Sequence, residues 1–405
     1  MLRHFSIVTV VTGLAAAISL ACSDTAAPPS NTVHDKQPAI SQTSNGSTHG
    51  PKLTAQTSGT ANRLQAVSPV NSRVVWASGI NGTFVVTTDG GATWRAGVVP
   101  GAETLQFRDV QGVSARVAYL LAAGSGTDSR IYKTHDGGAT WTLQFTNQNP
   151  NAFYDCFDFW SPDRGITFSD AVGNRFPVIR TTNGRTWQDI GDRLPAALPG
   201  EAGFAASGTC VATQGAQRAW IGTGGTATPR VLATTDGGNS WQAYNTPLVG
   251  GPAAGVFTVA FRDRLHGIIA GGDLAADPTK PAPEKRAAVS SNGGQTWTLV
   301  KPPPLHSSDP ADFGGTVFGL SYVPGAGRQT VVVTGPGGAA WSRNEGQKTW
   351  TLIPDVKGFW AVAFASRDAG WLVGTGGRIL KVSFENDGHA DDDDGDSNQD
   401  SNIGN

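Results

Sequence analysis

The chain has 405 residues with 53 Gly, 12 Trp, 3 Cys and 1 Met, and only 15% of its residues are charged. That length supports a large core and, by length alone, about two or three domains, while abundant Gly and Trp with so little charge exclude a coiled coil or helical bundle. A net charge of −2, from 30 Lys+Arg against 32 Asp+Glu, excludes a generic nucleic-acid binder.

Residues 1–22 read as a targeting segment outside the fold. Arg3 is positive, Phe5 to Leu20 carries no charge, and Ser19-Leu20-Ala21-Cys22 follows. This resembles the lipobox of bacterial lipoproteins, which implies a lipidated Cys22 and a body held at a membrane face of the cell envelope. A secretory signal cleaved nearby is the alternative. No other segment is apolar enough to span a bilayer. Residues 23–52, rich in Ser, Thr, Pro, Asn and Gln without apolar periodicity, read as a disordered tether.

From residue 53 the chain repeats. Thr87-Thr-Asp-Gly-Gly-Ala-Thr-Trp94, Thr134-His-Asp-Gly-Gly-Ala-Thr-Trp141 and Thr234-Thr-Asp-Gly-Gly-Asn-Ser-Trp241 are close copies. Looser ones end at Trp187, Trp297 and Trp350, with Asn183, Asn292 and Asn344 in the acidic place. The six Trp are 46 to 56 residues apart, a period that fits a four-stranded propeller blade. Asp89, Asp136, Asp236 and the three Asn are expected to accept backbone N–H bonds in a tight hairpin, where Gly supplies positive φ. The following Trp is expected to bury its ring between blades. These carboxylates read as turn ligands, not catalytic acids.

A second pattern counts the blades. Short apolar strands ending in Gly begin at Val75, Ala118, Gly165, Ala219, Gly267, Val331 and Gly370, one more than the hairpins. The last unit runs through Arg378 to Phe384 without its own hairpin, and Leu53 to Thr57 can supply its missing strand. The fold class is therefore all-β: a seven-bladed β-propeller over 53–384, closed by an N-terminal strand that completes the last blade, which removes open sheet edges. The innermost strands align Val67, Val110, Phe157, Val211, Val259, Val323 and Val362 in one column, preceded by Ala66, Asp109, Cys156, Cys210, Thr258, Tyr322 and Ala361. Cys156 and Cys210 thus share one register in adjacent blades. Rotation about the ring points their side chains in the same sense, so two buried free thiols are expected, although a disulfide is the default for an exported protein.

The acidic tail, 385–405, carries eight Asp and Glu and no Lys or Arg, while residues 51–384 carry 28 Lys+Arg and 22 Asp+Glu, a body of +6. No register of the tail matches a calcium loop, and it reads as a solvated, disordered acidic segment that folds back electrostatically on the body.

With these motifs laid out, residues 53–384 resemble the BNR or Asp-box propellers, and more closely the subgroup related to photosystem II stability and assembly factors. Leu64-Gln-Ala-Val67, Phe107-Arg-Asp-Val110, Arg130-Ile-Tyr-Lys-Thr134 and Phe204-Ala-Ala-Ser-Gly-Thr-Cys210 look like a bacterial branch often labelled oxidoreductase without an assigned mechanism. The resemblance implies a non-catalytic factor that binds a protein partner in the membrane or envelope. An Asp-box glycoside hydrolase or glycan-binding protein is the alternative, with Asp155, Asp158, Asp170 or Asp273 as carboxylates. An oxidoreductase ranks third. It has no dinucleotide fingerprint, because Gly-Thr-Gly-Gly at 222–225 and 374–377 falls in hairpin turns. His135, His266 and His306 lie in three different repeats, so neither a metal nor a cofactor is expected, and the chain is expected to be monomeric. The rim opposite the Asp-box turns offers Arg108, Asp109, Asp155, Asp170, Arg175, Glu201, Asp273 and His306 as partner-binding residues. Long loops at 188–208, 271–287 and 301–316, the last with Asp309, are expected to enlarge it.

Overall fold

Each repeat folds into a four-stranded antiparallel sheet, and seven such sheets form a closed β-propeller. The computed structural model describes residues 50–277, 279–306 and 309–384; the signal segment with Cys22, most of the tether and the acidic tail lie outside them. The innermost strands are Leu64–Pro69, Phe107–Gly112, Tyr154–Ser161, Val211–Gln214, Ala254–Phe261, Gly319–Tyr322 and Phe359–Ser366. Second strands such as Val75–Gly79, Ala118–Ala122 and Ala369–Gly374 are buried along their whole length. Their continuous apolar runs follow from that, since neighbouring blades cover both faces of each sheet.

Large aromatics fasten one blade to the next. Trp76 Nε1 donates to the Ser114 carbonyl at 2.8 Å, the Tyr119 hydroxyl to Pro162 at 2.9 Å, and Trp220 Nε1 to Gly293 at 2.8 Å. Each ring removes roughly 150–250 Å² from water while its polar atom stays satisfied. The Trp of the hairpin turns sit less deeply than expected. Trp241 is buried, but Trp94, Trp141, Trp187, Trp297 and Trp350 are half-buried, because they open the outermost strands. They lean on the preceding blade, as when Trp141 meets Trp76 and Phe84 edge-on, with centroids 6.2 and 5.1 Å away.

The last blade borrows its outer strand. Lys52–Thr57 pairs antiparallel with Arg378–Ser383, from Lys52 opposite Ser383 to Thr57 opposite Arg378. The ring is closed as the sequence implied, and no blade is left with an unpaired edge at the seam.

Two expectations need correction. In blade six, Leu320 opposite Val333 is the counterpart of Val67 opposite Ala77, so Gly319 and Leu320 hold the column places given to Tyr322 and Val323. The long turn 323–330 displaced that alignment. The second correction concerns the thiols: Cys156 and Cys210 form a disulfide. Innermost strands converge near the axis, where these Cα atoms lie 5.9 Å apart, within bridging range. Cys210 keeps the place equivalent to Cys156, since the Gly222 N–H donates to its carbonyl at 2.9 Å. Equivalent register therefore does not keep two side chains apart where adjacent innermost strands lie this close. The bridge links residues 54 apart, which on loop-entropy grounds is worth about 4 kcal/mol. Replacing both cysteines with Ala is expected to lower unfolding stability by about 2–4 kcal/mol in urea titrations. Equal stability of the two chains would show that the bridge does not form in solution.

Candidate functional site

Six turns on one rim share a hydrogen-bond pattern. Asp89 accepts the Thr93 N–H at 2.9 Å and the Thr93 hydroxyl at 2.6 Å, while Thr87 Oγ1 accepts the Gly91 N–H at 2.9 Å. Asp136 and Asp236 repeat this with Thr140 and Ser240, and Asn183, Asn292 and Asn344 accept the N–H groups of Thr186, Thr296 and Lys348 at 3.0 Å. The Thr93 hydroxyl, then its N–H, hold the exposed Asp89 carboxyl far below the usual range. Such a group is an ionised turn brace, unsuited to donate a proton near neutrality.

The opposite rim is irregular in a repeated way. Between the paired positions Leu64 and Ala66, Phe107 and Asp109, Tyr154 and Cys156, Val256 and Thr258, and Phe359 and Ala361, one residue has no partner on the second strand. The bulged residues are Gln65, Arg108, Asp155, Phe257 and Trp360. Thr209 and Phe318 hold the same place just ahead of the innermost strands of blades four and six. A bulge turns its extra side chain off the sheet faces, and here neighbouring blades bring these side chains into contact around the axis. Phe257 stacks on Phe318 at 6.0 Å, Phe318 meets Trp360 at 4.9 Å, and the Arg63 guanidinium lies 4.5 Å from the Trp360 ring centre. An aromatic arc on blades five to seven therefore faces a polar arc of Gln65, Arg108 and Asp155 on blades one to three.

Residues 202–209 cross this mouth and fill it. Gly203 N–H donates to Asp170 Oδ1 at 2.8 Å, Phe204 stacks on Phe257 at 3.7 Å, and Arg108 Nη1 donates to the Ala205 carbonyl at 3.3 Å. Ser207 Oγ donates to the Phe318 carbonyl at 2.7 Å and Thr209 Oγ1 to Thr258 Oγ1 at 2.8 Å. The segment thus touches blades two, three, five and six. Glycine is needed at two points: a Cβ on Gly203 would lie 2.7 Å from Asp155 Oδ2, and one on Gly208, at φ +78°, would lie 2.3 Å from Asp109 Oδ1. The loop 188–208, expected to enlarge the rim, closes it instead.

Asp155 and Asp170 form a carboxyl pair beneath the plug. Burial pushes Asp155 well above the usual carboxylate range and Asp170 to about 6, the charge of Asp170 raises Asp155 further, and Asp155 Oδ2 has no hydrogen-bond partner among the described residues. Arg108 nearby opposes the rise at Asp155. Asp158 is also raised by burial, to about 6, yet its oxygens are taken by the N–H groups of Phe159 and Thr213 at 2.7 and 2.6 Å.

Of the rim residues named from sequence, the fold gathers Arg108, Asp155 and Asp170 at the mouth and disperses the rest. Asp109 points between blades and accepts the N–H groups of Phe157 and Val110 at 2.8 and 2.7 Å. Arg175 is tied to Asp189 and Asp192 at 2.8 and 2.5 Å on the outer side of blade three. Glu201 is buried against Arg230, whose Nε donates to it at 2.8 Å, and fastens the crossing into blade four. Asp273 braces its own turn through the Ala275 N–H at 2.9 Å, and His306 lies in the crossing to blade six, beside Gly315.

Sequence reasoning missed Arg63, Gln65, Phe204, Phe257, Phe313, Phe318 and Trp360. Gln65 is fully buried, and neither of its side-chain polar atoms has a partner among the described residues. Phe313 is an aromatic in the left-handed region, at φ 50° and ψ 49°, and its ring lies 5.7 Å from Phe318. Such backbone costs about 1–3 kcal/mol and concentrates at functional positions. One further alignment column, the residue before Ala66 and its equivalents, would have exposed Gln65, Phe257 and Trp360, and Phe318 once blade six is realigned.

The fold has known counterparts. The structure superposes on YCF48 bound to a D1 peptide with a TM-score of 0.58 at 16% identity, covering 82% of this chain and 95% of that one. YCF48 from Cyanidioschyzon merolae gives 0.55 at 14% identity, covering 82% and 98%. A GH74 enzyme of Niastella koreensis gives 0.53 at 17%, covering 81% of this chain and 53% of that one. Likeness at such identities establishes the shared propeller fold. No protein-family model and no curated protein matches the sequence.

The carboxyl pair sets a pH signature. Because folding raises both groups, the stability they contribute is complete below about pH 4 and is lost as pH rises through their elevated range. Asp155→Asn keeps a donor toward Asp170 without a titrating proton. It is expected to shrink the fall in urea midpoint between about pH 4 and about pH 8. An unchanged pH slope would show that burial does not raise the Asp155 carboxyl.

Proposed function

We propose that the protein is a non-catalytic protein-binding scaffold, an assembly or stability factor displayed on a lipid tether at the bacterial cell envelope, with the mouth rim as its contact surface. The observation that carries this reading is the plug: residues 202–209 occupy the place where a propeller enzyme would admit substrate. Asp155, one of the paired carboxyls, is buried beneath it. Two hollows, of about 300 Å³ along Ser125 to Pro150 and about 380 Å³ between Thr93 and Asp136, lie away from that pair. Phe257, Phe318 and Trp360 are buried, and what the rim offers a partner is half-buried Phe204 and Phe313 with Arg63 and Arg108 near them, aromatic and arginine being residue types enriched at protein interfaces. The shared fold with a propeller solved in complex with a peptide supports the same reading.

Immobilised full-length protein is expected to capture one reproducible membrane or envelope protein from solubilised envelope. Phe313→Ala should weaken that capture about tenfold or more, while Arg343→Ala on the opposite rim should leave it intact. Turnover of envelope glycan by the purified chain, abolished by Asp155→Asn or Asp170→Asn, would overturn the scaffold reading in favour of a hydrolase.

A further inference from the structure

The turns that lead from the first to the second strand of each blade surround the axis on the rim away from the plug. Each holds an arginine at or just before the second strand: Arg73, Arg116, Arg164, Arg218, Arg264, Arg328 and Arg367, one per blade. Arg73, Arg116, Arg264 and Arg328 are exposed and make no ion pair with a described residue. The nearby carboxylates are already engaged. Asp163 binds Lys133 at 3.3 Å, Asp263 binds Arg262 and His266 at 2.9 Å, and Asp368 lies 3.8 Å from Arg367. Asp89, Asp136 and Asp236 remain ionised but lie in the turns between third and fourth strands, farther from the axis than the arginine turns. Packed sheets stand about 10 Å apart, so these turns close a ring roughly 20 Å across. Like charges fixed at such spacing favour a multivalent anion over single ions.

The chain itself delivers one there. Arg378–Ser383, the third strand of blade seven, runs from the mouth rim to the arginine rim, and the Phe384 N–H donates to the Arg367 carbonyl at 2.8 Å. The polypeptide therefore leaves the described structure beside a member of the ring. Residues 385–405 follow, with eight acidic residues and no Lys or Arg, against a body of +6. Extended, they reach about 70 Å, enough to cross the ring.

We propose that the acidic segment 385–405 binds in cis to the arginine ring and holds it against other polyanions. This does not rest on the function assigned to the mouth. In full-length protein carrying Cys22→Ser, a nitroxide attached at Ser397→Cys reports the segment's position by paramagnetic broadening. At about 10 mM ionic strength, where screening reaches about 30 Å, broadening is expected at backbone amides of the turns holding Arg73, Arg264 and Arg328. It should vanish at about 1 M salt, where screening falls to about 3 Å. It should also vanish when those three arginines become Gln, and persist when Lys280 and Lys285 on the other rim do. Absent broadening at low salt, broadening unaffected by the arginine substitutions, or broadening that grows with protein concentration, which would make a second copy the occupant, would each overturn the proposal.

Discussion

Everything in this molecule depends on the pairing of Lys52–Thr57 with Arg378–Ser383. A propeller blade has no independent core, because its apolar faces are covered only by its neighbours. Remove the closing strand and blade seven loses the partner of its third strand, while Gln56 no longer accepts the indole N–H groups of Trp94 and Trp371 at 3.1 and 3.2 Å. Those two tryptophans belong to blades one and seven, so a single glutamine from the N-terminal strand holds both sides of the seam. With the ring shut, the innermost strands crowd the axis. Their bulges then have only the channel to turn into, and the aromatic and polar arcs follow.

The architecture was legible because it repeats. A turn that needs Asp, Gly and Trp at fixed offsets shows itself six times, and the apolar second strands show themselves once more. What sequence reasoning lost was local departure from symmetry. Cys156 and Cys210 do hold equivalent places, but equivalence was taken to keep their side chains apart, and near the axis their Cα atoms lie only 5.9 Å from one another. The loop 188–208 looked like an ornament of the rim, because nothing in its composition says that Gly203 and Gly208 must pass within van der Waals distance of two buried aspartates. Glu201 and Arg175 looked like contact residues, yet charge pairing with Arg230, Asp189 and Asp192 absorbs them. The ring of arginines was visible in every repeat, but it lies in turns read only as connections.

The two rims therefore differ in kind. The arginine rim keeps the symmetry of the ring, with the same residue type in each blade and ionised, exposed turn carboxylates. The mouth rim breaks it, with six residue types at one position across seven blades, a strained Phe313, a Gln65 without a partner among the described residues and two carboxyls raised by burial beneath a plug. Symmetric surfaces suit multivalent, low-specificity attraction, whereas a unique constellation is what discrimination between partners requires.

The seam also has a mechanical meaning. The disulfide joins blades three and four covalently, but the ring's own closure is held by hydrogen bonds and packing alone. Any pull arriving through the N-terminal segment is applied at Lys52, the residue opposite Ser383. A pull directed across the strands there opens the pairs of the closing strand one after another from that end. Under load the propeller would yield first at blade seven, and the plugged mouth between blades two and six would be the last part to feel it.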